Sequence, residues 1–451
     1  MTHIPKGVYM LYDEFDIFED TDIDSQLDEW DELSISNDTA FIAALGRQAD
    51  SVSDIETALN ELERLADTAN ITVIGRYYQR KNKAEKGIFF GKGWLEDIKQ
   101  KMLQAGAGLL IVNEELSPMQ ARNIEKDFGI NVIDRTEVIL SIFHNHAKTR
   151  ESKLQVKLAE LEYQLPRLRS LWGHFDKERG SARTSGGTAT RGMGEKQIEI
   201  DRRIIKRDIA KIKRTLSDII RQKVTQRKQR ERLNKICLVG YTNAGKSTLF
   251  NALTNADVLV EDKLFATLDS TTRQLKMDIG GTVVISDTVG FISNLPHHLV
   301  ASFKATLMEV EDADLLLHLV DCSDEHFEDY IDEVNSVLHD IKADGIRQLL
   351  IFNKIDLIDN LKELLIQKKY PDSVLVSAAS NLNLDILRQH MDRILFNSNT
   401  YKMHIPYTEQ KMVSKLHEVA KIISEQYSDT GVDLEVIISE TDKYLYDKYI
   451  V

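Results

Sequence analysis

Residues 240–248 read Gly240-Tyr241-Thr242-Asn243-Ala244-Gly245-Lys246-Ser247-Thr248 and fit the spacing Gly-x-x-x-x-Gly-Lys-[Ser/Thr] without a mismatch. A turn of this kind points successive backbone N–H groups into one concavity. The helix that follows adds partial positive charge at its N-terminus, so a polyphosphate is favoured there. Lys246 is placed to reach β- and γ-phosphates, and the Ser247 hydroxyl to ligate Mg²⁺. The alternative is an ordinary glycine turn between a strand and a helix. The flanks argue against it: Lys235-Ile236-Cys237-Leu238-Val239 reads as a buried strand, and Thr248 to Leu253 as the start of a helix.

Three further segments follow in an order that extends this chemistry. Val283-Val284-Ile285-Ser286 leads into Asp287-Thr288-Val289-Gly290. An aspartate at a strand end can hold Mg²⁺ through water, and the Gly290 N–H can register a γ-phosphate. Leu350-Ile351-Phe352 leads into Asn353-Lys354-Ile355-Asp356. The Asp356 carboxylate can accept from guanine N1–H and its 2-amino group, a pair that adenine lacks, which selects GTP over ATP. Lys354 would cover the purine plane. Ser377-Ala378-Ala379 closes a short apolar run and can offer a backbone contact to guanine O6. Between the phosphate loop and Asp287 lies Phe265-Ala266-Thr267-Leu268-Asp269, where Thr267 could ligate Mg²⁺ while a γ-phosphate is present; Thr271 and Thr272 compete for that role. Together these residues predict a Mg²⁺-dependent GTP hydrolase with GTP as substrate. Lys246, Thr267 and Gly290 are its expected reactive-phosphate contacts. After Gly290 stands Phe291, where many such switches carry a glutamine that orients water. Slow hydrolysis without an outside trigger is expected. His297 and His298 are near in sequence but could be plain surface residues.

The elements that must hold these residues fall into several domains, as the 451-residue length requires. Residues 1–36 form an acidic leader, dense in Asp and Glu from Asp13 to Glu32 and broken by Tyr12, Phe15, Phe18, Leu27 and Trp30. A solvated, partly disordered segment is the plainer reading of it. Residues 37–147 alternate strand and helix patterns (Phe41–Leu45, Asp54–Ala69, Ile71–Ile74, Trp94–Leu103, Leu109–Val112, a Ser117-capped helix to Phe128, Val132–Ile133), which predicts a small α/β domain with a mostly parallel sheet. In residues 148–234, Leu154, Leu158, Leu161, Leu165 and Leu168 carry one apolar stripe, and Ile198, Ile205, Ile209, Ile212, Leu216 and Ile219 another. Two helices packed as an antiparallel hairpin are expected. Their connection, 172–194, is rich in glycine and carries Arg179, Arg183 and Arg191. A floppy surface loop is the plain alternative; arginines at the tip of a basic hairpin suit RNA contact. Residues 235–397 make the nucleotide (G) domain, a doubly wound, mostly parallel sheet. Residues 398–451 read as a small α+β domain with a helix from Glu409 to Gln426 and a strand at Leu434–Ile438. The fold class is thus multidomain α/β.

Net charge is −14, which alone argues against a nucleic-acid partner, yet residues 148–235 hold 25 Lys and Arg against 11 Asp and Glu. A basic module on an acidic body is aimed at a polyanion. Cys237 and Cys322, both expected inside strands, look like small core residues suited to a reducing cytoplasm. No apolar run approaches the length of a membrane span. A monomer is expected.

With these motifs in place, the chain resembles the HflX-type GTPases from about residue 37 onward. The likeness also rests on Leu116-Ser117-Pro118-Met119-Gln120-Ala121-Arg122-Asn123, Val132-Ile133-Asp134-Arg135-Thr136 and Lys153-Leu154-Gln155-Val156-Lys157-Leu158-Ala159. Arg191-Gly192-Met193-Gly194-Glu195 is similar to the family's Arg-Gly-Pro-Gly-Glu, with Met193 for proline. Phe265-Ala266-Thr267-Leu268-Asp269-Ser270 is similar to Phe-Ala-Thr-Leu-Asp-Pro, with Ser270 for proline. That match raises Thr267 above its neighbours as Mg²⁺ ligand, and a hydrophobic residue at Phe291 also fits. The resemblance implies binding to the large ribosomal subunit, with the hairpin loop approaching ribosomal RNA near the peptidyl-transferase centre. It also implies ribosome-stimulated hydrolysis and GTP-driven dissociation or rescue of stalled ribosomes. A large-subunit assembly GTPase and a nucleotide-gated RNA-binding regulator are the alternatives. The N-terminal ATPase activity attributed to some members has no motif here.

Overall fold

The structure is a computed structural model that describes residues 39–168, 189–228, 233–254, 263–265, 267–279, 281–293 and 309–451. The acidic leader, Arg179, Arg183, His297 and His298 lie outside them. The chain divides into two units. The first comprises the chain up to Val224 together with Lys263–Leu268; the second holds most of what remains, through Val451.

In the first unit, β1 (Thr39–Gly46), β2 (Thr72–Arg80), β3 (Leu109–Val112) and β4 (Val132–Asp134) form a sheet in the order β2-β1-β3-β4, parallel throughout. The connecting helices α1 (Val52–Thr68), α2 (Lys92–Ala105) and α3 (Pro118–Phe128) start and stop where local chemistry dictates. Ser51 accepts from the Asp54 N–H and donates its own N–H to the Asp54 carboxylate, a reciprocal cap. Ser117 does the same with Gln120, Pro118 opens the first turn of α3, and Gly129 ends it at φ 65°. Phe41, Phe90, Leu95, Ile98, Leu110, Val112 and Ile124 fill the core between sheet and helices.

Helix α4 (Arg135–His146) leads into α5 (Arg150–Gln164), which pairs with the long α6 (Ala189–Lys228). Leu154, Leu158, Leu161 and Leu168 pack against Ile205, Ile212 and Leu216, so the two stripes are one seam. The turn just after α5 is tied to the sheet. The Arg167 guanidinium lies 3.4 Å from the Tyr163 ring centroid, donates to the Leu116 carbonyl, and pairs with the buried Asp134 at 3.1 Å. Burial pushes the Asp134 carboxyl up, against the pull of Arg167. One expectation is corrected here: α6 begins at Ala189, so Arg191, Gly192 and Gly194 sit in its first turns and not in a loop running to 194.

In the second unit, six strands run in the order β10-β9-β8-β5-β7-β6, built from β5 (Lys235–Gly240), β6 (Thr271–Lys276), β7 (Thr282–Asp287), β8 (Leu315–Asp321), β9 (Gln348–Asn353) and β10 (Val374–Leu375). All pairs are parallel except β6 with β7. Helices α7 (Lys246–Thr254), α8 (Phe327–Asp340) and α9 (Asn360–Lys369) lie between them, and α10 (Leu384–Phe396) follows β10. Because β5, β7, β8, β9 and β10 are mutually parallel, their carboxyl ends share one edge, where open α/β sheets place ligands. Cys237 lies in β5; Cys322 falls one residue beyond β8, where its buried thiol donates to the Asn353 carbonyl.

The last segment forms an antiparallel sheet, β11 (Ser398–Pro406), β12 (Lys421–Tyr427) and β13 (Gly431–Ser439), in the order β11-β13-β12. Here the expected Glu409–Gln426 helix is corrected. Helix α11 (Gln410–Val419) ends at Ala420, and the chain then turns into β12, which pairs with β13 from Lys421↔Ile437 to Tyr427↔Val432. Alternating burial on β13 and the backbone partners it supplies outweigh the helical spacing of the preceding turns.

Candidate functional site

The phosphate loop is the turn between β5, the central strand, and α7. Asn243 and Gly245 both take positive φ, 61° and 93°, which aims consecutive N–H groups the same way. Gly245 has no alternative: a Cβ there would stand 2.3 Å from Asn353 Nδ2 in a backbone conformation that L side chains rarely adopt. The Lys246 ammonium is buried and donates to the carbonyls of Gly240 (3.1 Å) and Tyr241 (2.8 Å). Burial pulls its pKa down to about 8, with Asp287 opposing. A bound polyanion would raise it again.

Asp287 ends β7, paired in register with Leu238 of β5, so the strand pairing itself brings it to the loop. One carboxylate oxygen accepts from the Ser247 hydroxyl at 2.6 Å; the other is buried without a hydrogen-bond partner among the described residues. A carboxylate with one orphaned oxygen beside a serine hydroxyl fits a hydrated Mg²⁺, which takes one or two protein oxygens and completes its shell with water and phosphate. No group of three or more His, Cys, Asp or Glu that could cage a metal occurs among the described residues.

Thr288 donates to the Leu238 carbonyl at 2.6 Å, Val289 is buried, and the chain returns over the loop. Phe291 donates its N–H to Gly240 and accepts from Thr242 N–H at 2.6 Å, and its side chain is buried. Gly290 is pressed against the loop: a Cβ would lie 2.7 Å from Thr242 Cα and 2.9 Å from Lys246 Nζ. Gly290→Ala is therefore expected to displace its N–H from the γ-phosphate position. Single-turnover hydrolysis should fall about 100-fold, the usual loss for one preorganised donor to developing charge. GDP affinity, read by fluorescent-nucleotide titration, should stay within a few-fold.

Asn353 joins the phosphate loop to the base-side segment. Its amide donates to the Ala244 carbonyl at 2.9 Å and accepts from Ala378 N–H at 3.0 Å. Lys354 sits at φ 66°, and its ammonium pairs with Asp321 at 2.6 Å. Asp356 is exposed in a short 3-10 turn, Ile355–Leu357, that presents its carboxylate at the sheet edge. Ser377 is buried and caps the following turn by accepting from Ser380 N–H; Ala378 is buried and Ala379 exposed. The sequence reading missed Asp321, the strand-end partner of Lys354. It also missed Tyr330, which stacks on Tyr241 at 4.1 Å between centroids. The signal for Asp321 was present: it closes an apolar strand as Asp287 does. Tyr330 left none.

The second unit thus brings together Gly240–Ser247, Asp287–Gly290, Asn353–Asp356 and Ser377–Ala379. Thr267 and its neighbours Phe265 and Leu268 belong to the first unit.

Comparison with known proteins bears on this arrangement. The model described as "50S ribosome-binding GTPase" matches residues 235–354. The models "GTP-binding GTPase N-terminal" and "GTP-binding GTPase Middle Region" match residues 56–144 and 146–230. The GTPase HflX of Caldanaerobacter subterraneus subsp. tengcongensis is 40% identical over 412 residues, covering 91% of this chain and 93% of that protein. The chain belongs to the HflX GTPase family. The HflX of Escherichia coli K12 is 37% identical, covering 84% of this chain and 89% of its own. Among solved structures, a GTP-binding protein from the archaeon Sulfolobus solfataricus in complex with GDP matches at 25% identity and a TM-score of 0.41, over 79% of this chain and 98% of that one. As an HflX GTPase the chain hydrolyses GTP. No helix among the described residues is long and apolar enough to cross a membrane.

Proposed function

We infer that this HflX GTPase uses GTP binding to act on the large ribosomal subunit, dissociating or rescuing stalled ribosomes. The observation that carries this reading is the pairing of two features. A buried phenylalanine, Phe291, occupies the position from which a polar side chain would orient water, so that position supplies no such trigger. The basic α5–α6 hairpin runs by a short connection into β5, the strand that bears the phosphate loop. A trigger on a polyanionic surface felt by that hairpin is consistent with both, and with the match of residues 235–354 to a ribosome-binding GTPase family.

In this reading 37–147 is the N-terminal domain, 148–234 the RNA-facing hairpin, 235–397 the G domain and 398–451 an accessory domain. Lys246 steadies the β- and γ-phosphates, the Gly290 N–H donates to the γ-phosphate, and Asp356 and Lys354 hold guanine, with Ser377–Ala379 beside O6. Ser247 and Thr267 would hold Mg²⁺, with Asp287 acting through water. When bound, the ion would supply positive charge that offsets the charge building up on the phosphates. Arg179, Arg183 and Arg191 face ribosomal RNA near the peptidyl-transferase centre.

The test is GTP turnover with and without purified large subunits, beside sedimentation with intact ribosomes. Turnover should rise at least tenfold on subunits, and free subunits should appear with GTP or a slowly hydrolysed analogue. Arg183→Ala with Arg191→Ala should remove most of that stimulation while leaving intrinsic turnover within twofold. No stimulation and no co-sedimentation would sink the reading. Equal loss of stimulated and intrinsic turnover would make the hairpin a structural support for the G domain.

A further inference from the structure

A phosphate loop binds anions through its backbone N–H groups, so that chemistry asks nothing of the side chain at position 241. Yet Tyr241 is buried, and its side chain is engaged twice over. The phenol oxygen accepts from the Ser293 N–H at 2.8 Å. The ring stacks on Tyr330 of α8, 4.1 Å between centroids at 15°. The backbone ties the same two segments together. Phe291 donates its N–H to the Gly240 carbonyl at 3.1 Å, and Thr242 donates its N–H to the Phe291 carbonyl at 2.6 Å. Tyr241 and Phe291 thus pair as a short parallel bridge, and the phenol adds a third point of attachment two residues further on. Gly290 immediately precedes this bridge and lies so close to the loop that a Cβ would crowd Thr242 Cα and Lys246 Nζ. Tyr241, Tyr330 and residues 290–293 all belong to the second unit.

We propose that Tyr241 and Tyr330 are positioning residues for GTP hydrolysis: the Tyr241 phenol, steadied by the Tyr330 ring, holds Gly290–Ser293 so that the Gly290 N–H meets the γ-phosphate. The proposal rests on the reading above in which that N–H is a γ-phosphate donor. Both backbone ties end on one residue, Phe291. They fix its place but leave the chain on either side free to swing about it. The bond to Ser293 supplies a second anchor, and two anchors fix a direction. The lever between them is short, since two residues span at most about 7 Å. The stack matters because a ring packed face to face against another has little freedom to carry its hydroxyl away. A donor aimed at developing charge must be in place when the charge appears, and a misplacement of about 1 Å costs as much as about 100-fold in rate. Phe291 has no polar group to share that work, so the placement of the backbone donor carries more weight.

The test uses the full-length chain with Mg²⁺ and reads single-turnover GTP hydrolysis beside the affinities for GDP and a non-hydrolysable GTP analogue. Tyr241→Phe keeps the ring and its stack and removes only the phenol oxygen. Hydrolysis should fall about fivefold, the worth of one net hydrogen bond, while both affinities stay within about twofold. Tyr330→Leu removes the stacking surface and should lower hydrolysis in the same way. Tyr330→Phe restores a ring and should return the rate to within about twofold of the parent. The split between rate and affinity separates positioning from plain support, because a loosened phosphate loop would lose GDP as well. The proposal is overturned if Tyr241→Phe and Tyr330→Leu leave hydrolysis unchanged, or lower hydrolysis and GDP affinity together. It is overturned equally if hydrolysis rises, which would make the tie a restraint that GTP must break. Gly290→Ala separates these failures from a deeper one. If it leaves hydrolysis unchanged, the Gly290 N–H is not the γ-phosphate donor, and that reading fails together with the tie. If it acts while Tyr241→Phe and Tyr330→Leu do not, the tie alone fails.

Discussion

Asp356→Asn is expected to lower GTP affinity by roughly a thousandfold and to create affinity for xanthosine triphosphate, which the parent chain binds poorly. The Asp356 carboxylate stands at the sheet edge, exposed and held by a single turn between Asn353 and α9. It can accept two parallel hydrogen bonds from guanine, from N1–H and from the 2-amino group, and both are charge-assisted. An amide at the same place turns an –NH₂ toward that second donor, so a hydrogen bond becomes a clash of like dipoles. Xanthine carries a carbonyl there and accepts from the amide. The neighbours make this a local change. Asn353 is fixed by Ala244 and Ala378, and Lys354 by Asp321, so the purine platform does not depend on the carboxylate. Equilibrium titration with fluorescent GTP and xanthosine triphosphate measures both arms. Unchanged GTP affinity would remove Asp356 from base recognition.

Lys246→Ala should abolish turnover, with single-turnover hydrolysis down by about a thousandfold or more. The ammonium is the one cation that the phosphate loop itself supplies, and it is buried, so water screens it little. The same burial makes the ion costly to keep. Its pKa is drawn down to about 8, the mark of a charge held against its own desolvation. Removing it should therefore leave thermal stability in nucleotide-free buffer about unchanged, even though two hydrogen bonds to Gly240 and Tyr241 go with it. Loss of hydrolysis with an unchanged melting temperature separates chemistry from folding. If the variant turned over GTP at a tenth of the parent rate, the lysine would be a loop support and not a phosphate contact.

The residues that could be read directly share one property: each motif follows its own buried strand. Val239 before the phosphate loop, Ser286 before Asp287 and Phe352 before Asn353 are strand residues whose burial is written in a short apolar run. The caps of α1 and α3 were legible for the same local reason, a side chain bonding a backbone group three residues away. What failed depended on distant partners. The segment Glu409–Gln426 carries helical spacing, but from Lys421 on it is a strand because β13 is there to pair with it. The glycines at 192 and 194 read as loop, yet α6 runs through them from Ala189. Asp321 could not be matched to Lys354 until parallel pairing of β8 with β9 set Asp321 opposite Asn353.

By itself, then, the sequence determined the nucleotide chemistry and the guanine preference, because short contiguous segments carry their own geometry wherever a strand end meets a turn. It also set the apolar seam of the hairpin, because helical periodicity is a local property. Tertiary structure decided how those segments converge, through parallel registers that place five strand ends on one edge of a sheet. It alone decided where Thr267 goes. The Phe265 backbone turn and its burial against Phe143 and His146 are set by residues 119 or more positions away in sequence, and no local pattern records a contact of that range.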